Sequence, residues 1–245
     1  MDIIEGNPMP YERRIIKGET VQLGKDDIAH LIALYDGEIQ YVDAQIGKLI
    51  DSLKDIGLFE NSMVIITFDH VEEFFEHNGL KHGYTLYNEG IRIPLIFHLP
   101  NLSLSKTALD SLLIQSIDIS PTILDFHNIE KPACMQGDSL LSLFSNTPDQ
   151  WRNFALSESP FIDAKTLITK EWKIIDHFGT VLTSEELSEH YTKGRKLFNL
   201  LDDFEEKIDQ SHDKTKLFKE MYEKIAFSLN SSRAKSLTRT KTFNF

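Results

Sequence analysis

The residues best suited to chemistry lie between Thr67 and Pro94. There Asp69 and His70 follow a short apolar run, and three of the nine His residues, His70, His77 and His82, fall within thirteen positions. A carboxylate is a ligand for hard divalent ions, and an adjacent imidazole extends such a site toward Mn2+ or Zn2+. Asp69 and His70 therefore qualify as two ligands of a larger metal site, although two side chains alone do not hold an ion. Lys81 beside His82 places a cation and an imidazole together, and Lys81 on its own is equally a solvated loop cation. His77 reads as a hydrogen-bond partner that steadies the loop, with substrate contact as the alternative. Glu72, Glu73 and Glu76 read as a solvated helix start, where the helix dipole favours acids. Tyr84, Leu86, Tyr87 and Phe97 read as packing residues, and Arg92 and Asp118 as ties between element ends.

The elements that must position these groups follow from periodicity. Ile28, Leu31, Ile32, Tyr35, Ile39, Val42, Ile46, Leu49, Ile50, Leu53 and Ile56 recur every three or four residues, which predicts a long amphipathic helix starting at Asp26 or Asp27 and stopping at Gly57. Met63–Phe68 is a β-branched apolar run without alternation, the pattern of a strand buried on both faces of a parallel sheet. Ligand crevices in open α/β sheets lie beyond the carboxyl ends of strands, which is where Asp69 and His70 stand. A second strand is expected over Ile91–His98, with Pro94 marking an edge, a bulge or a strand start. Leu109–Phe126 reads as a strand entering a helix capped by Ser120, with Pro121 at its first position. Thr166–Thr169 and Trp172–Asp176 read as a hairpin, and Lys214–Leu229 as a terminal helix. The alternation of helix and strand points to an α/β sandwich.

Composition narrows the class of partner. The 245 residues carry 26 Lys and Arg against 38 Asp and Glu, a formal net charge of -12, with one Cys. An acidic chain of this kind disfavours nucleic acid, which needs a basic face to neutralise phosphate. The lone Cys134 forms no internal disulfide, and no apolar run approaches the ~20 residues of a membrane span. The N-terminal residues lack a basic-then-apolar signal pattern, so the chain as it stands is expected in the cytoplasm, with an exported full-length parent as the alternative. Arg233, Lys235, Arg239 and Lys241 form a basic tail free of acids, read as a frayed terminus.

The Thr67–Pro94 window resembles the second metal motif of the sulfatase family, within the alkaline phosphatase superfamily. The resemblance rests on Asp69-His70, on Glu72-Glu73-Phe74 with Glu76-His77, on His82-Gly83, on Leu86-Tyr87 and on Ile91-Arg92-Ile93-Pro94-Leu95. Tyr35–Ile39, Ser116–Leu124, Gln136–Leu140 and Lys196–Leu200 match flanking family segments in order, so the likeness runs from about Asp26 to Ile208. It implies sulfuric ester hydrolysis beside a divalent ion, Ca2+ first, with Mn2+ or Zn2+ as alternatives, acting on a sulfate-ester small molecule or glycan. Asp69 and His70 match the second ligand pair. One of Lys81 and His82 matches the group that contacts the sulfate or protonates the leaving oxygen. A phosphodiesterase or phosphonate hydrolase of the same superfamily is the alternative reading, and a non-catalytic remnant that needs a partner half is a third.

The family nucleophile, a formylglycine made from Cys or Ser in a Cys/Ser-x-Pro/Ala-x-Arg motif, has no match in this chain. The expectation is therefore a truncated or split sulfatase with negligible activity alone and a complementing N-terminal half as partner. Phe68 and Val71 depart from the family's Ser and Gly beside the ligand pair. A β-branched residue forced into a left-handed conformation at Val71 would cost about 1–2 kcal/mol. The expected fold is a partial alkaline-phosphatase-like α/β sandwich, a mixed and mostly parallel sheet with flanking helices, plus a small C-terminal α+β subdomain. The expected divisions are an irregular lead-in over 1–25, the catalytic part over 26–150, the small subdomain over 151–229 and the basic tail over 230–245.

Overall fold

A computed structural model describes residues 13–16, 19–77, 79–83, 85–100, 112–145, 151–159, 163–177 and 194–225. The chain divides into two units. The first comprises 1–103, 159–163 and 178–193; the second comprises 104–158, 164–177 and 194–245.

The first unit opens with an antiparallel pair, β1 (Arg13–Ile16) and β2 (Glu19–Gln22), inside the stretch read as an irregular lead-in. Helix α1 (Lys25–Asp55) follows, as its three- and four-residue apolar spacing requires. Its start is fixed by the Gly24 amide donating to Asp27 Oδ2 at 2.8 Å. Its stop is Gly57, whose φ of 71° is open to glycine at no steric cost and whose amide donates to the Lys54 carbonyl at 2.9 Å. No residue of α1 is buried, and Leu34, Tyr41 and Leu49 stand at 46%, 64% and 60% exposure.

Strand β3 (Val64–Thr67) pairs antiparallel with β6 (Leu95–His98), Val64 opposite His98 and Thr67 opposite Leu95. Among the described residues every strand pairing with a given register is antiparallel, which corrects the parallel neighbours expected for Met63–Phe68. An apolar run reports what covers a strand's faces and carries no information on the direction of its partner. Here the strand is only half-buried along its length. Pro94 immediately precedes β6, the strand-start position where its missing N–H is harmless. Asn88–Ile91, partly assigned to that strand from sequence, instead forms the single helical turn α2. Between them lies a short antiparallel hairpin, β4 (Glu73–Phe74) against β5 (Leu80–Lys81), in place of the helix start expected at Glu72–Glu76.

In the second unit, Ser116–Asp118 form a 3-10 turn that runs into α3 (Ile119–Phe126), so the helix begins before Ser120, and residues 112–115 form no strand. Asp118, fully buried, makes this junction. Its carboxylate accepts the amides of Gln115 (2.8 Å) and Asp138 (2.9 Å) and pairs with Arg152 at 2.5 Å, the structural role read for it from sequence. The short α4 (Leu141–Ser145) follows. The four strands β7 (Ala155–Ser159), β8 (Ala164–Ile168), β9 (Trp172–His177) and β10 (Gly194–Asn199) form one sheet in the order β10-β9-β8-β7. Strands β8 and β9 are the expected hairpin. The helix α5, residues 215–225, is the described part of the expected terminal helix. Its Phe218, Met221 and Ile225 join Leu167, Ile174 and Leu197 in a buried cluster. No described helix is long and apolar enough to cross a membrane. The tail over 230–245 lies outside the described residues.

Candidate metal and sulfate site

The site is a loop held by two short structures. Strand β3 ends at Thr67, which leaves Asp69 and His70 just beyond its carboxyl end. The β4–β5 hairpin then returns the chain so that His82, directly after β5, reaches them. The imidazoles of His70 and His82 stack with centroids 3.8 Å apart. Asp69 Oδ2 lies 3.8 Å from His70 Nε2, and its Oδ1 accepts the His70 amide at 3.1 Å. His70 Nδ1 is 3.1 Å from the Val71 carbonyl, a contact that puts the ring proton on Nδ1 and leaves the Nε2 lone pair directed toward the Asp69 side. Asp69 is 91% exposed and His70 43%, so both donors are open to an incoming ion or anion.

Three sequence expectations change here. Val71 is not among the residues with positive φ, so no left-handed strain attends its replacement of Gly; Phe75, at φ 71°, carries the positive angle instead. Glu72 is not a bystander: its Oε2 lies 2.9 Å from His82 Nδ1, and it completes a group with His70 and His82 in which one donor atom of each lies within 4.8 Å of the others. Glu73, read as solvated, is 1% exposed. Glu72 lies just before β4 and stays partly exposed, whereas Glu73 is the first residue of that strand and turns inward.

Glu73 has been drawn into a tight cradle. Its Oε1 accepts from Thr85 Oγ1 at 2.7 Å, and a Cβ added at Gly79 would meet its Oε2 at 1.8 Å. Burial pushes this carboxyl up to about 7, with the charges of Glu89 and Glu76 adding to the rise and the Thr85 hydrogen bond and His77 opposing it. Tyr35 of α1 packs edge-on against Phe74, with centroids 5.3 Å apart. Burial, and then the Glu72 charge, raise its phenol above the ordinary value.

The other residues singled out from sequence divide. His77 pairs with Glu89 and lies parallel to Tyr87 at 3.7 Å, 11% exposed, which accords with a loop-steadying part. Lys81 sits in β5 opposite Glu73, and its side chain lies outside what is described. Leu86 and Tyr87 are buried and Phe97 half-buried, while Tyr84 lies outside the described residues. No local pattern in the sequence marks Glu72, because its meeting with His82 depends on the β4–β5 hairpin returning the chain.

Comparison with known proteins identifies the family. Residues 5–129, just over half of the chain, match the family model described as Sulfatase. The chain belongs to the sulfatase family. Residues 76–228 match a second model, N-sulphoglucosamine sulphohydrolase, C-terminal. The sulfatase chain is 27% identical over 213 residues to arylsulfatase K of Rattus norvegicus, covering 82% of this chain and 37% of that protein. It is 30% identical over 154 residues to the N-acetylglucosamine-6-O-sulfatase of Bacteroides thetaiotaomicron, covering 59% and 26%. In structure it matches the phosphonate monoester hydrolase of Silicibacter pomeroyi with a TM-score of 0.69 at 19% identity, over 91% of this chain and 44% of that one. Such a likeness shows the fold, an alkaline-phosphatase-like α/β arrangement. The chain thus spans about a quarter to under half of the length of these relatives.

Proposed function

We propose that this chain supplies one side of a sulfuric ester hydrolase site, with Asp69 and His70 as ligands to a divalent cation and His82 as the group that meets the sulfate or protonates the leaving oxygen. The observation that carries the reading is the stacking of His82 on His70 beside Asp69. One exposed carboxylate oxygen and one imidazole nitrogen with its tautomer set by a carbonyl are a donor pair suited to such an ion. When bound, a divalent cation neutralises charge on the ester's oxygens and polarises the bond to be broken. His82 is held through Nδ1 by Glu72, so as an imidazolium it would give its Nε2 proton to a departing alkoxide and keep the Nδ1 proton on Glu72. Ca2+ is the ion assigned by the family reading, with Mn2+ and Zn2+ as alternatives that the imidazole admits.

The chain contains no Cys/Ser-x-Pro/Ala-x-Arg motif, so the nucleophile in this reading comes from a complementing N-terminal half of the domain. Two features support such a partner: the amphipathic α1 buries none of its residues, and among the described residues β3 and β6 form a sheet of two strands. Two strands make a weak sheet without further strands or a covering layer. The substrate is a sulfate ester of a small molecule or glycan, in keeping with the names of the relatives.

The phosphonate monoester hydrolase match favours a second reading, phosphodiester or phosphonate hydrolysis at the same residues. An assay of the chain paired with an N-terminal sulfatase half separates them. Faster turnover of an aryl sulfate than of an aryl phosphonate supports the first, and the reverse order supports the second. The 245-residue chain alone is expected to turn over neither.

A further inference from the structure

We infer that His70, Glu72 and His82 form a transition-metal site of their own, one that selects Zn2+ over Ca2+ and that the chain fills without any partner. It shares His70 with the pair proposed above, and it holds whether or not the completed enzyme cleaves a sulfate ester. The three side chains place one donor atom each within 4.8 Å of the others. The donor set is two imidazoles and one carboxylate, the composition of open zinc sites that keep a fourth position for water. Ca2+ takes six to eight oxygen ligands, and this group offers one carboxylate.

The geometry is close to what the smaller ion needs. Glu72 Oε2 and His82 Nδ1 are 2.9 Å apart with a proton between them. Two ligands of a tetrahedral Zn2+ sit roughly 3.3 Å apart, from metal–ligand distances of about 2.0–2.1 Å. Replacing that proton by the ion therefore asks the pair to separate by a few tenths of an ångström, while the ring proton of His82 moves to Nε2. His70 is the third arm, already stacked on His82 at 3.8 Å. His70 and His82 are 43% and 47% exposed, which leaves both rings room to turn onto the ion and leaves water access to the fourth position.

Occupation has a chemical consequence. An ion held by this trio takes the His82 Nδ1 lone pair and breaks its bond to Glu72. It also draws His70 away from Asp69. The trio and the Asp69–His70 cation pair therefore compete for one imidazole.

The test is titration of the full 245-residue chain with Zn2+ against a chromophoric zinc indicator at neutral pH, repeated for three variants and with Ca2+ in large excess. The expected result is one Zn2+ per chain. Glu72→Gln and His82→Gln should each weaken binding roughly tenfold or more. Asp69→Asn should weaken binding less than either of these, because Asp69 lies outside the trio, and Ca2+ should not displace the ion. The unmutated chain gives a second readout that does not depend on the variants folding: Zn2+ should shift the ring resonances of both His70 and His82 in NMR spectra. No binding above the indicator alone, native affinity in Glu72→Gln and His82→Gln, or an unmoved His82 ring would overturn the inference. If Asp69→Asn abolishes binding while Glu72→Gln does not, the ion belongs to the Asp69–His70 pair; that overturns the trio and leaves the hydrolase reading standing.

Discussion

The sheet of β7–β10 and the loop from Phe68 to Gly90 both gather charged side chains, and they treat them in opposite ways. On β9 of the sheet, Lys173 pairs with Glu206 at 2.6 Å with both side chains fully buried, on the face opposite to Ile174. In the loop, Asp69 is 91% exposed and His82 47%. A fully desolvated pair is satisfied by its partner and has nothing left to offer a ligand. A pair left at the surface keeps its lone pairs for one. The first arrangement serves stability and the second serves binding, so substitutions in the two regions should move different observables.

The largest effect is expected in the sheet. Lys173→Met removes the cation that pairs with the buried Glu206 carboxylate, and should cost about 3–5 kcal/mol in urea unfolding. The double variant Lys173→Met/Glu206→Leu should recover most of that loss, because two apolar groups of similar volume replace the pair. A single variant that costs under about 1 kcal/mol would show that the pair is not isolated from water as described.

Glu73 belongs to the loop yet behaves like the sheet, and so sharpens the contrast. Its carboxyl titrates at about 7 in the folded chain against an ordinary 4.5. The folded state therefore holds this proton more tightly than the unfolded chain. Stability is greatest below about pH 4.5 for this group and falls as pH rises toward 7, by on the order of 3 kcal/mol at most. Glu73→Gln, which keeps the shape and removes the titration, should abolish that part of the slope in denaturation midpoints measured across the range. An unchanged slope would place the pH dependence elsewhere.

Gly79→Ala forces a methyl group into the Glu73 carboxylate, and should lower stability by about 1–3 kcal/mol, read as a drop in melting temperature. The smallest effect is expected on α1. Leu49→Ser, at a position 60% exposed, should change the stability of the isolated chain by less than about 0.5 kcal/mol. The same substitution should weaken association with an N-terminal half if α1 is the surface that half covers.

How much of this was legible in the sequence follows the range of each interaction. The helix was readable nearly to the residue, because its apolar spacing and its Gly57 stop are local and repeat over eight turns. Asp69 and His70 were readable as a site because the apolar run ends just before them. The meeting of His82 with His70 was suggested by the family likeness, whereas the residues alone do not show that a two-strand hairpin brings them together. Glu72 and Glu73 were misread as one solvated group, since identical side chains carry no mark of where a two-residue strand will start or which of them it will bury. The antiparallel β3–β6 pairing and the Lys173–Glu206 pair rest on contacts between residues about thirty positions apart. A buried lysine gives no signal in its own strand until its partner is placed.

Asp69, His70 and His82 are proposed to act together on a sulfate ester. The most direct measurement is hydrolysis of an aryl sulfate by the chain paired with an N-terminal sulfatase half, native against Asp69→Asn and His82→Gln. The native pair should turn over the ester, and the rate should fall by about 10²-fold or more in each variant, the scale of losing one group that stabilises or protonates the transition state. Turnover that survives both substitutions at the native rate would contradict that proposal.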